Sequence, residues 1–366
     1  MHSLQVHQFI PSLSPNDAVG NHTLETQRIL AAHDVPGRIW AEEIHPSLQG
    51  QARPYGKYRA NTRFTLRGGA SANQTVLLYQ ASTGSQFGMG SFFLDRPEPK
   101  TLTYHNITPA EFFDTYDDKA ADNLRRGRSE LALLARRIRC ATAASEYNAR
   151  ELRDLGLEDV RVFPPFIPST VRPHAMYRTW LKSNKHGIDL MFVGRVVPNK
   201  GHRHLLRAFA ALRDEIDPAT RLFIVGGWGP KSYMRELFQL RERLGSKGIA
   251  FTGPLSASRL AAHYETADAF VCLSDHEGFG IPLVEAMRAG LPIIAYDAGA
   301  VGETLGRAGI LLKERDPFVI AELISRLSTD DSLRSSVISA QVTRAAEIQS
   351  LPRAEILLEA IRDSLG

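Results

Sequence analysis

Cysteine is almost absent: the 366-residue chain has two, Cys140 and Cys272, far apart and each inside an apolar stretch. Two such residues exclude a disulfide scaffold and a cysteine-ligated zinc cluster, and they read as small buried hydrophobes in a reducing compartment. Long apolar runs are missing as well. No stretch approaches the roughly 18 residues that a spanning helix needs. The opening residues, MHSLQVHQFIPSLSPND, lack the basic region, apolar core and small-residue cleavage site of a secretory signal. A cytoplasmic location is the expectation, with association at the inner face of a membrane left open. A large excess of charge of one sign is missing too, since 44 Lys and Arg stand against 40 Asp and Glu for a net +4. That mild excess permits an anionic substrate or lipid surface, and no nucleic-acid partner is expected. Repeats and low-complexity tracts are not visible.

What the sequence has is alternation. Short β-branched runs take turns with segments of helical period almost throughout, the pattern of βα units and a parallel sheet, so the fold class is α/β. In the first half, strands are expected near 4–9, 38–41, 75–80, 101–104, 140–143 and 160–163, with helices near 18–32, 117–138 and 146–155. Proline crowds residues 163–173, FPPFIPSTVRP, where neither a helix nor a central strand can continue. After this linker come strands near 189–193, 221–225, 249–251, 269–273, 292–295 and 309–312, and helices near 200–213, 231–244, 257–265 and 282–289. Two Rossmann-like parallel-sheet domains are therefore expected, residues 1–168 and 169–351. Open α/β sheets bind ligands beyond the carboxyl ends of their strands, which places the expected site in a cleft between the two domains. Residues 52–73 are basic, glycine-bearing and hard to read.

The most informative stretch is 267–290, ADAFVCLSDHEGFGIPLVEAMRAG. An apolar strand ends at Ser274, a glycine loop carries Glu277, Pro282 suits a first helical turn, Glu285 falls inside the helix and Gly290 can stop it. Two carboxylates can thus hold two hydroxyl-bearing parts of one ligand. The amides of Gly278, Phe279 and Gly280 precede the helix and are expected to be free to donate. Sugar and ribose hydroxyls suit such a place. A second constellation, VGRVVPNKG at 193–201, follows a strand. After Gly194, Arg195 leaves the strand end, and Asn199 can cap a helix whose first turn holds Lys200. Two cations and free amides converging there suit a diphosphate.

The paired glutamates with this strand–loop–helix setting resemble the retaining GT-B glycosyltransferases of family 4 (glycosyl transferases group 1), whose hallmark is two glutamates separated by seven residues, here Glu277 and Glu285. The resemblance spans nearly the whole chain, strongly over 189–312 and more weakly over the first domain. It implies that Glu285 binds the ribose hydroxyls of a nucleotide, that Glu277 lies beside the donor sugar, and that Arg195 and Lys200 hold the donor diphosphate. It further implies that the loop Gly226–Gly227–Trp228 and the turn containing Leu255 hold the base. Trp228 either stacks on that base or packs against a helix. In the first domain His105 lies just past a strand, ahead of a capping-box pattern at 108–111, and the resemblance implies contact with sugar hydroxyls at the catalytic centre. It also implies that the C-terminal helix, 352–366, returns to the first domain.

Other segments are less specific. The loop at 12–23 departs from the family's double-glycine loop, yet Asn16 and Asp17 can still stand near acceptor or donor. The stretch GSQFGMG, with Gly84 and Ser85, offers flexible backbone on the acceptor side. Arg125, Arg126, Arg128, Arg136, Arg137 and Arg139 crowd one helix and its end, either as a surface for anionic lipid or an acceptor diphosphate or as a solvated face. His202 and His204 invite a metal reading, which the want of neighbouring carboxylates argues against.

The expectation is a metal-independent, cofactor-free hexosyltransferase. It would move a hexose from a nucleotide sugar, GDP-mannose or a UDP-hexose, to a glycan or lipid-linked acceptor in polysaccharide biosynthesis, with retention at the anomeric carbon. The alternatives are a sugar epimerase or phosphorylase of the same fold and a catalytically silent nucleotide-sugar-binding module.

Overall fold

The structure, a computed structural model, describes residues 4–15, 17–59, 74–245 and 247–365. The first part of the chain runs β1 (Gln5–Leu13), α1 (Ala18–Ala32), β2 (Ile39–Ile44), β3 (Ala52–Pro54), β4 (Thr75–Ala81), α2 (Met89–Leu94), β5 (Lys100–Tyr104), α3 (Asp118–Ala135), β6 (Cys140–Ala143), α4 (Glu146–Asp154) and β7 (Asp159–Val162). It continues through α5 (Ala175–Ser183), β8 (Asp189–Val193), α6 (His202–Glu215), β9 (Arg221–Val225), α7 (Lys231–Arg243), β10 (Ile249–Gly253), α8 (Ala257–Thr266) and β11 (Ala269–Cys272). The last elements are α9 (Ile281–Arg288), β12 (Ile293–Tyr296), α10 (Val301–Leu305), β13 (Ile310–Leu312), α11 (Pro317–Thr329), α12 (Asp331–Gln349) and α13 (Arg353–Asp363).

These elements form two units. The first comprises Met1–Glu111, Asp118–Phe166 and Pro352–Gly366, the second Phe112–Asp117 and Ile167–Leu351. Each is built on a wholly parallel sheet, in the order β3-β2-β1-β4-β5-β6-β7 and β10-β9-β8-β11-β12-β13 respectively. Parallel strands covered on both faces have to be apolar in successive positions, and β4 shows it with six buried residues in a row.

In the first unit, Phe9, Tyr79, Phe93, Leu102 and Leu131 pack on one face of the sheet. Val6, Val76, Leu78 and Phe163 pack on the other with Leu357, Leu358 and Ile361 of α13. The core of the second unit gathers Phe192, Phe209, Ile224, Leu237, Phe270, Leu283 and Ile294. Each such side chain contributes about 1.5–3 kcal/mol by leaving water. Cys140 and Cys272 are buried and unpaired, and burial pushes both thiols up to about 11. Six elements lie where no strand or helix was expected: β3, α2, α5, α10, α11 and α12.

The helix starts come from local chemistry where it exists. Asp17 accepts from the Gly20 amide at 2.9 Å to cap α1, and Ser145 and Asp316 cap α4 and α11 in the same way. The capping-box pattern at 108–111 opens only a short turn, Ala110–Phe112, because α3 starts later, at Asp118. Among the described residues no helix is long and apolar enough to cross a membrane.

Candidate functional site

In the second sheet the chain leaves β8 toward β9 and leaves β11 toward β12, so the neighbouring strands β8 and β11 flank the point where the winding reverses. Loops at the carboxyl ends of such strands diverge and leave room for a ligand. Both glutamates and both cations singled out from the sequence sit on these two loops and the helices after them.

After β8 the chain makes a turn, Pro198–Lys200, and then Gly201 with φ +66°, where a Cβ would stand 1.9 Å from the Leu273 carbonyl oxygen. Only glycine fits so close to the end of β11. This approach brings Lys200 Nζ to 2.7 Å from Glu277 Oε1, which also accepts from Ser274 Oγ at 2.9 Å. The pair is largely shielded, with the Glu277 side chain 12% exposed. Arg195 is exposed and, among the described residues, has no ion pair. The two cations thus differ: one arrives already neutralised and the other is open.

Asn199 does not cap α6. Gly201 intervenes in the left-handed region, the helix begins at His202 without a side-chain cap, and Asn199 is buried instead. Its Nδ2 donates to the His276 carbonyl at 3.3 Å, and its own carbonyl accepts from the amides of Asp275 and His276. Asn199 therefore pins the loop that carries Glu277.

Gly280, with φ +89°, turns the chain into α9, where Glu285 accepts from Tyr264 Oη at 2.8 Å. Burial raises the Glu285 carboxyl above its usual range, and the Tyr264 hydrogen bond opposes that shift. Phe279 is buried against Val284 and Ile348, and its carbonyl accepts from Thr304 Oγ1 at 2.6 Å. Of the three amides expected to be free, those of Phe279 and Gly280 have no acceptor among the described residues, whereas Gly278 is already engaged within the protein. The Glu277 carbonyl accepts from Ala300 N at 2.8 Å, which fixes the loop from the β12 side.

The loop after β9 is packed closely on the loop after β8. A Cβ on Gly226 would lie 2.1 Å from the Gly194 carbonyl oxygen, and one on Gly229 would lie 1.7 Å from that of Val196. The Val196 amide donates to Gly227 O and the Gly226 amide to Gly253 O. Glycine at 226 thus serves to bring two protein loops together. Gly227 is open, its nearest neighbour being Arg195 Cγ at 3.9 Å. Trp228 is 56% exposed, with its indole beside Gly253 and a groove shared with Met234 and Phe238. Leu255 is half-buried on the core.

In the first unit the winding reverses between β1 and β4. His105 follows β5 and is held at Nε2 by Gln80 Oε1 at 2.6 Å; burial brings its pKa down to about 3. Asp17 is exposed and spends its carboxylate on the α1 cap, and Asn16 lies outside the described residues.

The stretch 84–90 is not flexible backbone. Gly84 packs against Gly127 and Asn123 of α3, Ser85 is buried, and the Glu42 carboxylate accepts from Ser85 Oγ and from the amides of Gln86, Phe87 and Met89. The arginines divide as well. Arg126 and Arg128 donate to the carbonyls of Ser85 and Ile107, and Arg125 pairs with Asp122, while Arg136, Arg137 and Arg139 stand exposed.

His202 is a core residue, edge-on to Phe192, with its pKa lowered to about 3 by burial. Among the described residues no group of three or more His, Cys, Asp or Glu stands together as a metal-ligand set. Sequence reasoning missed Ser274, Tyr264 and Glu42. For Ser274 a signal existed, a hydroxyl at the strand end three residues before Glu277. The other two act across 21 and more than 40 residues and leave no local trace.

Residues 177–342 match the family model described as glycosyl transferases group 1. A D-inositol 3-phosphate glycosyltransferase of Salinispora arenicola (strain CNS-205) is 33% identical over 188 residues, 49% of this chain and 42% of that protein. A GDP-mannose-dependent alpha-(1-6)-phosphatidylinositol monomannoside mannosyltransferase of Mycobacterium tuberculosis (strain ATCC 25618 / H37Rv) is 34% identical over 148 residues, 38% of this chain and 37% of that one. The matched stretch thus spans less than two thirds of the length of these relatives. Among solved structures, Anabaena Alr3699/HepE in complex with UDP and glucose superposes with a TM-score of 0.70 at 17% identity, covering 98% of this chain and 99% of that one, a likeness of fold.

Proposed function

We propose, from the match of residues 177–342 to the model of the glycosyl transferases group 1 and from the GT-B fold, that the chain is a member of that family and moves a hexose from a nucleotide sugar to a hydroxyl of a glycan or lipid-linked saccharide, with retention at the anomeric carbon. The observation that carries this reading is the meeting of Lys200, Ser274 and Glu277 at the point where the second sheet reverses its winding, one helix away from the Tyr264–Glu285 pair. Glu285 takes the ribose hydroxyls. Arg195 and Lys200 take the diphosphate, and Glu277 the sugar.

The ion pair supplies a built-in exchange. Without ligand, Lys200 is neutralised by Glu277. A diphosphate beside the open Arg195 draws the ammonium toward itself and frees one Glu277 oxygen, still oriented by Ser274, for a sugar hydroxyl. As the bond from the anomeric carbon to the diphosphate breaks, both cations stabilise the departing charge. The acceptor oxygen attacks on the same face and passes its proton to the leaving phosphate. In this reading the two side chains supply the charge that a metal ion would otherwise supply, and no cofactor takes part.

A GDP-mannose donor is supported by the mycobacterial relative, a GDP-mannose-dependent mannosyltransferase, and a UDP-hexose donor by the UDP and glucose bound to the Anabaena protein. Work at the cytoplasmic face of a membrane, in polysaccharide biosynthesis, fits the exposed Arg136, Arg137 and Arg139.

The test is nucleoside diphosphate release over a panel of GDP- and UDP-sugars, with and without a chelator. Lys200→Ala and Arg195→Ala should each lose about 2–4 kcal/mol of transition-state stabilisation while the fold stays intact. Calorimetry with the nucleoside diphosphate separates the glutamates: Glu285→Ala loses affinity, whereas Glu277→Ala keeps it and loses turnover. Rates near wild type in both cation variants would remove the donor-site assignment.

A further inference from the structure

Two glutamines fill adjacent central strands of the first sheet, where apolar residues are the rule. Gln8 of β1 and Gln80 of β4 are both fully buried. Buried amides are retained where every polar atom finds a partner, and the partners here run in one line. Gln8 Nε2 donates to the Thr23 carbonyl at 3.1 Å and lies 3.2 Å from Gln27 Oε1. Gln80 Nε2 donates to Gln8 Oε1 at 2.8 Å, and Gln80 Oε1 faces His105 Nε2 at 2.6 Å.

The direction of this line is set at its far end. A backbone carbonyl can only accept, so the amide nitrogen of Gln8 must point to Thr23 and its oxygen to Gln80. Gln80 must then present its own oxygen to His105, and an oxygen without a proton can only accept.

We propose that Gln80, backed by Gln8, is a positioning residue that locks His105 as its Nε2–H tautomer, so that the ring offers a ligand only the Nδ1 lone pair and selects a hydroxyl donor over an anion. Among the described residues Nδ1 has no hydrogen-bond partner, and it is not among the buried unpartnered atoms, unlike both nitrogens of the neighbouring His22. His22 lies edge-on at 4.7 Å between the His105 ring and Phe163. The ring therefore has a neutral amide on one side and an aromatic wall on another. Burial alone keeps it neutral down to about pH 3, so it brings no positive charge to attract a phosphate. An aspartate in place of Gln80 would stabilise the imidazolium; an amide orients the ring without charging it.

The choice of ligand rests on the transfer reaction proposed above, whereas the tautomer does not, and the experiment keeps them apart. Nitrogen-15 NMR of the full chain labelled at histidine, with the His105 signals assigned by their loss in His105→Gln, should show a protonated Nε2 and a bare Nδ1. Gln80→Glu keeps an acceptor and should keep Nε2 protonated, but its carboxylate should bring the second proton onto Nδ1 at a higher pH than in the wild type, whereas Gln80→Met should give a mixture of tautomers. A dominant Nδ1–H form in the wild type, or wild-type shifts in Gln80→Met, would overturn the lock.

Turnover is then compared over deoxy and deoxyfluoro nucleotide sugars. Fluorine can accept a hydrogen bond but not donate one, so at one sugar position both analogues should lose about two- to tenfold in kcat/KM, the worth of one hydrogen bond. Gln80→Met should erase that difference without changing nucleoside diphosphate affinity. An analogue series in which fluorine replaces the hydroxyl without loss at every position would overturn the ligand assignment and leave the tautomer standing.

Discussion

Tyr264 keeps a hydrogen-bond donor on a carboxylate that burial alone would push toward its neutral form. In the proposed donor site Glu285 would accept ribose hydroxyls best as an anion, so affinity for nucleotide should fall as pH drops through its pKa. Removing the phenol raises that pKa further and moves the loss to higher pH. Tyr264→Phe should therefore weaken nucleoside diphosphate binding by about 1.5–3 kcal/mol, with the deficit growing on acidification, as read by calorimetry across pH. At this scale the sequence was legible where a role depends on spacing. Glu277 and Glu285 could be placed on a loop and a helix because strand, glycine loop, proline and helix stop surround them in one continuous stretch, and Lys200 because it follows a strand in a second one. Tyr264, Gln80 and Glu42 could not, because each acts through a partner on another element, and the direction of a side chain across a sheet has no local signature. Asn199 was misread for a related reason: a good capping residue stands next to a helix, but the left-handed Gly201 lies between them.

Elements were legible where the caps are local and obscure where they are remote. The α1 helix was readable to its ends because Asp17 caps it from the adjacent position. The α2 helix was not, since its first amide, that of Met89, is satisfied by Glu42 of β2, and the preceding Gly88 looks like loop. Proline before residue 173 similarly hid α5, whose cap is the uncommon His174. The glycine loops give a prediction at this level. Gly226→Ala would force a Cβ to 2.1 Å from Gly194 O and should separate the β8 and β9 loops, costing both stability and nucleotide binding. Gly88 also has a positive φ, +83°, but nothing lies within 4 Å of its Cβ position. Gly88→Ala should cost only about 1 kcal/mol in urea unfolding and leave nucleotide binding as it was. Equal effects at the two positions would mean that backbone conformation alone, rather than loop contact, explains Gly226.

Across the whole molecule, acid is the vulnerable side. His105 and His202 have their pKa lowered to about 3, His263 to about 4, and His22 is also held well below 6.5, burial being the first cause in each. In the unfolded chain all four take up protons near 6.5, so below that pH the unfolded state binds more protons and stability is lost as pH falls toward 4. Urea midpoints should drop steadily over that window and level off above neutrality. Replacing His202 with Phe, beside Phe192, should flatten part of the slope.

The return of α13 to the first unit has a consequence for how the protein is made. Leu357, Leu358 and Ile361 cover Val6, Val76 and Phe163, and Cys140 Sγ donates to the Ala360 carbonyl at 2.9 Å, yet all of Ile167–Leu351 is translated in between. At about 5–20 residues per second, the ribosome needs roughly ten seconds or more to deliver that stretch. Throughout that interval the sheet made first stands with part of one apolar face uncovered, and the unit made second has every residue it needs as soon as Leu351 is joined. The unit begun first is therefore the one completed last, and its nascent sheet is where a chaperone would be expected to bind.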